Sequence, residues 1–222
     1  MIQAARRAID AGRLGDVLAV HGICWFFKPD DYFDIPWRRE TGAGPIFLNL
    51  IHDVDNLRYL CGEVASVQAL ESNAVRGNAV EETAVILLRF ASGALGTVTV
   101  SDSIVAPWSW ELTTGENPDY PRTSEGCYQI GGTYGALSIP QLNLWCNPGK
   151  RSWFEPIAPE RLSYEPQDPL RLQVQQFCKV IRGEEAPLVS GREGLETLRV
   201  IDAVKRSAAA GEMIRLRGGA AA

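Results

Sequence analysis

Asn49, His52, Asp53 and Asn56 follow one another at helical steps, so a helix through them would carry all four on one face. Histidine titrates near neutrality and can take a proton from an attacking or oxidised hydroxyl. Asn and Asp present short, well-placed donors and acceptors that suit the hydroxyls of a polyol. A plain solvent-facing stripe would more often carry Lys and Glu; this one carries neither. A lone helical histidine that is merely solvated remains the competing reading. His52, Asp53 and Asp55 could also be taken for a metal cluster, as a hydrolase would need. Only His52 and Asp53 could converge, and two ligands are too few for a closed site, so no metal is expected.

The segment around them has the marks of a helix. Pro45 suits a first helical turn and Gly62 a C-terminal cap. Phe47, Leu50, Ile51, Val54, Leu57 and Cys61 form the stripe expected to be buried. Upstream, Lys28 to Thr41 is a polar, aromatic loop. Its Lys28, Trp37 and Arg38 could border the same cleft and give a polar or acidic substrate a cation and an aromatic wall. An ordinary surface loop is the alternative.

Composition narrows the class. The chain has 222 residues, 45% hydrophobic and 22% charged, which is ordinary for a globular domain with a proper core. A net charge of −5 and scattered Lys and Arg argue against nucleic acid as a partner. No apolar run approaches the ~18 residues of a membrane span, and no signal-peptide pattern opens the chain. The five cysteines are far apart and form no CxxC, so buried free thiols and a cytoplasmic setting are expected.

The remaining elements point to one architecture. Helix is expected over Met1–Ala11, then strands over Val17–Phe27, Val64–Ser72, Thr83–Phe90, Ala94–Asp102, Tyr128–Ile130 and Ala136–Trp145. Pro107–Gly126 reads as a long loop around a short strand, and Asn147–Gln167 as a connector. Asp168–Pro169 opens a helix with Leu170, Val174, Phe177, Cys178 and Ile181 on its apolar side. Ser190 and Glu193 form a capping box for a last helix, with Leu195, Leu198, Ile201 and Val204 expected inward. Met213–Leu216 could add an edge strand. Short turns between consecutive strands favour antiparallel pairing with helices gathered on one side. The expected fold is therefore α+β: an open, largely antiparallel (mixed) sheet with helices packed on one face. No glycine cluster has the GxGxxG spacing of a dinucleotide site.

These segments resemble the glucose–fructose oxidoreductase / inositol dehydrogenase / MocA (Gfo/Idh/MocA) family. The likeness is carried by Gly42-Ala-Gly-Pro, Asn49-Leu-Ile-His-Asp-Val-Asp55 and Leu57-Arg-Tyr-Leu-Cys-Gly62. Phe90-Ala-Ser-Gly-Ala-Leu-Gly96, Gly132-Thr-Tyr-Gly-Ala-Leu-Ser138 and Asp168-Pro-Leu170 follow in the family's order. The resemblance implies the C-terminal domain of a two-domain enzyme acting on a sugar, inositol or related polyol. It implies NAD or NADP in a full-length enzyme, held by an N-terminal Rossmann domain with a catalytic Glu-Lys-Pro lysine. Neither feature is present in this sequence; Lys28-Pro29 lies in a later loop and follows aromatic residues. Met1 falls where the family's crossover helix leaves the nucleotide domain, so the chain is expected to be a truncation.

On the same resemblance His52 is the catalytic histidine, with Asn49, Asp53, Lys28, Trp37 and Arg38 as substrate-binding residues. Many relatives place an aspartate four residues before the histidine; here that position is Leu48. Residues 1–217 are expected to be a substrate-binding and oligomerisation domain, and 218–222 a flexible tail. No cofactor is expected on this chain alone, and a homo-oligomer through the open sheet face is. A non-catalytic binding or assembly module derived from the family is the other function these residues allow.

Overall fold

The computed structural model describes residues 1–216, so the expected tail at 218–222 lies outside the described residues. Nine strands form one open sheet: β1 Val17–Trp25, β2 Val64–Ser72, β3 Thr83–Phe90, β4 Leu95–Ser101, β5 Tyr128–Gly132, β6 Gly135–Ile139, β7 Asn143–Cys146, β8 Ala158–Arg161 and β9 Ile214–Arg215. Their order across the sheet is β8-β7-β6-β5-β1-β4-β3-β2-β9. Only β1 and β4 run parallel; each other neighbouring pair is antiparallel. The α+β mixed sheet expected from the turn spacing is the fold observed.

Alternation along the strands decides which face is covered. In β3, Ala84, Ile86, Leu88 and Phe90 are buried, while Val85, Leu87 and Arg89 face out. β4 follows suit, with Val98 and Val100 inward and Thr97 outward. Two long-range helices cover the inner face: α2 Ile51–Cys61 and α5 Gly191–Ala210, with α1 Ile2–Asp10 beside α2. Leu50, Val54, Leu57, Ile201 and Val204 meet Ile86, Val98, Val100 and Ile130 in a single core. The opposite face carries an apolar trough of about 810 Å³, lined by His21, Gln68, Leu87, Leu95 and Thr97 among others.

Several local expectations need correction. The expected strand Ala136–Trp145 is two strands, β6 and β7, because Pro140 cannot donate to a ladder and Leu142 takes a left-handed φ of 56°. Between Pro107 and Gly126 the ordered piece is a short helix, α3 Trp110–Thr114, capped by the Ser109 hydroxyl and ended at left-handed Gly115. The connector contains β8, an edge strand that tolerates Pro159. The loop from Lys28 holds two single turns of 3-10 helix, Asp30–Asp34 and Pro36–Arg39.

The two closing helices form where expected, but their faces differ. Asp168 caps α4 Pro169–Ile181 by accepting from the Leu170 and Arg171 amides. None of the α4 residues is buried, and Phe177 is 62% exposed. In α5 the inward side is Thr197, Val200, Ile201, Val204 and Ser207, whereas Leu195 and Leu198 stay exposed. The inward polar groups have partners: Thr197 bonds Asp55 and Arg58, and Ser207 accepts from the Ala69 amide and donates to the Glu212 carbonyl.

Candidate active site

The helix that carries His52 starts with a widened π turn, Ile46–Leu50, before α2. Its start is held by a buried carboxylate. Glu81 accepts from the Ile46 amide at 3.1 Å and binds Lys205 Nζ at 2.7 Å. A Cβ on Gly44 would lie 2.3 Å from Glu81 Oε1, so glycine is what lets this side chain reach the helix start. The exposed N–H groups and dipole of a helix N-terminus favour an anion there. At the other end Gly62 closes α2 with φ 94°.

Arg58 locks α2 to α5. Its five N–H groups reach both Glu63 oxygens, the Glu193 carbonyl and carboxylate, and Thr197 Oγ1, at 2.7 to 3.1 Å. The pose of the helix that carries His52 is thus fixed at both ends. π turns recur at functional sites because the extra residue re-aims the side chains around them.

The expected polar stripe divides into three environments. His52 is exposed and has no hydrogen-bond partner among the described residues. Asn49, one turn earlier, accepts from Lys28 Nζ at 3.0 Å. Asp53 faces the core instead: it is 2% exposed, and the Tyr128 hydroxyl donates to its Oδ1. Asn56 Nδ2 donates to the same hydroxyl at 3.4 Å. Burial pushes the Asp53 carboxyl up to about 7, against the pull of the Tyr128 hydrogen bond, with Glu111 adding to the rise. The adjoining Cys24 thiol is driven well up by burial and by Asp53. Asp53 does not share the solvent face of His52.

Lys28 belongs to a buried ionic cluster that sequence spacing did not reveal. Its ammonium lies 3.2 Å from Asp102 Oδ2, and Arg76 Nη1 lies 2.6 Å from Oδ1 of the same carboxylate. Arg76 also donates to the Lys28 and Asp102 carbonyls and rests over the Phe33 ring at 4.3 Å. Burial lowers the Lys28 ammonium, and Asp102 opposes that shift. Glu82 accepts from the Val75 and Arg76 amides and holds this loop in place. Asp102, Arg76, Glu82 and Tyr128 come from segments far apart in the chain, and no local periodicity ties them to His52.

Arg38 sits across the Tyr32 ring at 4.0 Å, and Lys28 Nζ lies 5.1 Å from the same centroid. Trp37, half exposed, stands beside Arg38. Lys28 thus meets Asn49 in the π turn, one helical turn from His52, and Tyr32 links Lys28 to Arg38 and its neighbour Trp37. No three His, Cys, Asp or Glu side chains converge on a metal position among the described residues.

The residues here do not suit the pyrophosphate of NAD(P). The glycine-led helix start is already taken by Glu81, and α4 and α5 start on their own Asp168 and Ser190 caps. The Glu81 carboxylate at the first of these would repel a diphosphate rather than cradle it.

The fold is a mixed sheet covered on one face by helices, with a cluster of charged and polar side chains at the start of α2. Residues 2–138 match the GFO/IDH/MocA C-terminal domain, and the chain belongs to that family. It is 22% identical over 219 residues to 1,5-anhydro-D-fructose reductase of Ensifer adhaerens, covering 98% of this chain and 61% of that protein. Among solved structures it is similar to the WlbA dehydrogenase of Bordetella pertussis in complex with NADH and UDP-GlcNAcA, at 26% identity and TM-score 0.72, covering 98% of this chain and 60% of that one. A likeness of fold extends to the aldose-aldose oxidoreductase of Caulobacter crescentus complexed with glycerol, at 24% identity and TM-score 0.73, covering 97% and 60%. The chain thus spans about three fifths of the length of these relatives.

Proposed function

We propose that this chain is the substrate-binding and assembly domain of an NAD(P)-dependent oxidoreductase acting on a sugar, inositol or related polyol, inactive without a nucleotide-binding domain. The observation that carries this reading is the exposed His52 beside the Lys28–Asn49 pair on a helix pinned at both ends. Relatives whose names specify anhydrofructose or a UDP-sugar acid support a carbohydrate substrate.

The chemistry assigned to this half is proton transfer and orientation. His52 takes the proton of the hydroxyl being oxidised, and Asn49 and Lys28 hold neighbouring oxygens. Hydride acceptance is the chemistry an NAD(P) held outside this chain would supply. Asp53, buried under Tyr128, supports the helix rather than the substrate. Five free cysteines favour a reducing, cytoplasmic setting, and no helix among the described residues is long and apolar enough to cross a membrane. The open sheet face is the proposed contact with a second copy of the chain.

The test is steady-state kinetics in an enzyme that carries both halves. His52→Ala should lower kcat by ~10²–10⁴ while leaving the urea midpoint near wild type. A variant that keeps more than a third of wild-type turnover removes His52 from the mechanism.

A further inference from the structure

Most buried cations of this domain are balanced. Lys28 and Arg76 share Asp102, Arg58 has Glu63 and Glu193, and Lys205 has Glu71 and Glu81. Arg38 is different. It is half-buried, yet no carboxylate lies within 4.0 Å of it among the described residues. Its Nη1 donates to the Tyr32 carbonyl at 2.9 Å, its Nε is shielded from water with no acceptor, and its plane is held against Tyr32 with Trp37 at its edge. Nη2 has no partner. A guanidinium held against the Tyr32 ring, with Nη1 already engaged, has lost much of the freedom that binding would remove, and Nη2 is left to meet a carboxylate.

We propose that Arg38 is the specificity residue for a carboxylate on the substrate, so that this site takes a sugar acid rather than a neutral polyol. The inference rests on the carbohydrate reading above and names the substrate class within it. Neutral hydroxyls are served by Asn49 and by the remaining Lys28 donor; they need no unbalanced guanidinium. Charge count selects the anion. Lys28 and Arg76 are offset by Asp102 and Glu82, which leaves one uncompensated positive charge at the ring. On the exposed side of the same loop Asp30, Asp31, Asp34 and Glu40 outnumber Arg39, so repulsion rises with the charge of the ligand. One charge suits a carboxylate and disfavours a phosphate monoester.

The experiment titrates the isotopically labelled chain with D-glucuronate, D-glucose and D-glucose 6-phosphate at equal ionic strength, following amide and arginine side-chain resonances. Glucuronate should saturate at about tenfold lower concentration than glucose, as one charge-assisted contact implies. Arg38→Gln should bring the ratio of glucuronate to glucose affinity close to one. Arg38→Lys, which keeps the charge but loses the planar contact with the Tyr32 ring, should retain only part of the preference. Equal binding of glucuronate and glucose, or a preference that survives Arg38→Gln, overturns the carboxylate inference and leaves the carbohydrate reading standing. Tighter binding of glucose 6-phosphate that depends on Arg38 overturns it in favour of phosphate. Failure of all three sugars to bind overturns the carbohydrate reading and this inference with it.

Discussion

Asp53 is a carboxyl group removed from water, with a tyrosine hydroxyl, a thiol and an amide for company. Its ordinary value of 3.8 is raised to about 7 in the folded chain. Between those values the unfolded chain has released a proton that the folded chain keeps. Stability from this group therefore falls as pH rises from about 4 to about 7, then levels off. Asp53→Asn removes the proton and with it that slope. Urea midpoints measured from pH 4 to 8 should show the variant gaining on wild type as pH rises, by about 2–4 kcal/mol at pH 8. Parallel profiles would mean that Asp53 is solvated. The sequence pointed to Asp53 as part of a polar face, since its spacing from His52 and Asn49 is helical. Spacing alone could not tell that Tyr128 waits on a distant strand to receive it. Asp102 and Arg76 were illegible for the same reason: their meeting with Lys28 depends on which strands are neighbours.

At the level of elements, the helix around His52 was the most readable part of the chain, because Pro45, Gly62 and the apolar stripe agree with one another. What local signals could not supply was its anchor, Glu81, whose access depends on a missing Cβ. Gly44→Ala should push that carboxylate from the Ile46 amide and from Lys205. The expected cost is about 2–3 kcal/mol, from a lost cap and a buried charge left poorly paired. Chemical denaturation checks it, and a loss below about 0.5 kcal/mol would show that Glu81 can re-seat. The last helix shows the limit of counting apolar residues. Leu195 and Leu198 looked inward by type, yet Thr197 and Ser207 occupy the inner side because each has buried partners there. The expected apolar stripe of α4 is not buried: none of the helix's residues is fully shielded from solvent.

For the whole molecule, the uncovered sheet face is the dominant physical fact. Leu87 is 50% exposed and Leu95 51%, on adjacent strands, and the trough continues across β1 and β2. Contiguous apolar patches beyond ~300–600 Å² rarely stay in water. Sedimentation of the wild-type chain at tens of micromolar should find a dimer or larger assembly. Leu87→Glu should shift it to monomer without lowering the helical signal, since that side chain points away from the core. A wild-type monomer across this range would defeat the idea. The one-sided sheet was foreseeable from alternation in Thr83–Phe90 and Ala94–Asp102. The position of the first strand in the middle of the sheet was not, because no local signal tells a strand where it will be inserted.

That insertion sets an order of events. β2, β3 and β4 are joined by short-range antiparallel pairing, as are β5, β6 and β7, so each group can assemble from nearby contacts. β1 joins the two groups, pairing Ala19 with Leu95 and Val20 with Ile130. Closing such long loops loses chain entropy before any contact compensates, which slows non-local pairing. Refolding should then run as two meanders that form early and a seam that closes late. Pulse-labelled hydrogen exchange should find the Ile86 and Val98 amides protected before those of Val20 and Gly22. Simultaneous protection would instead indicate that the seam is part of the nucleus, and that the two halves of the sheet have no separate existence during folding.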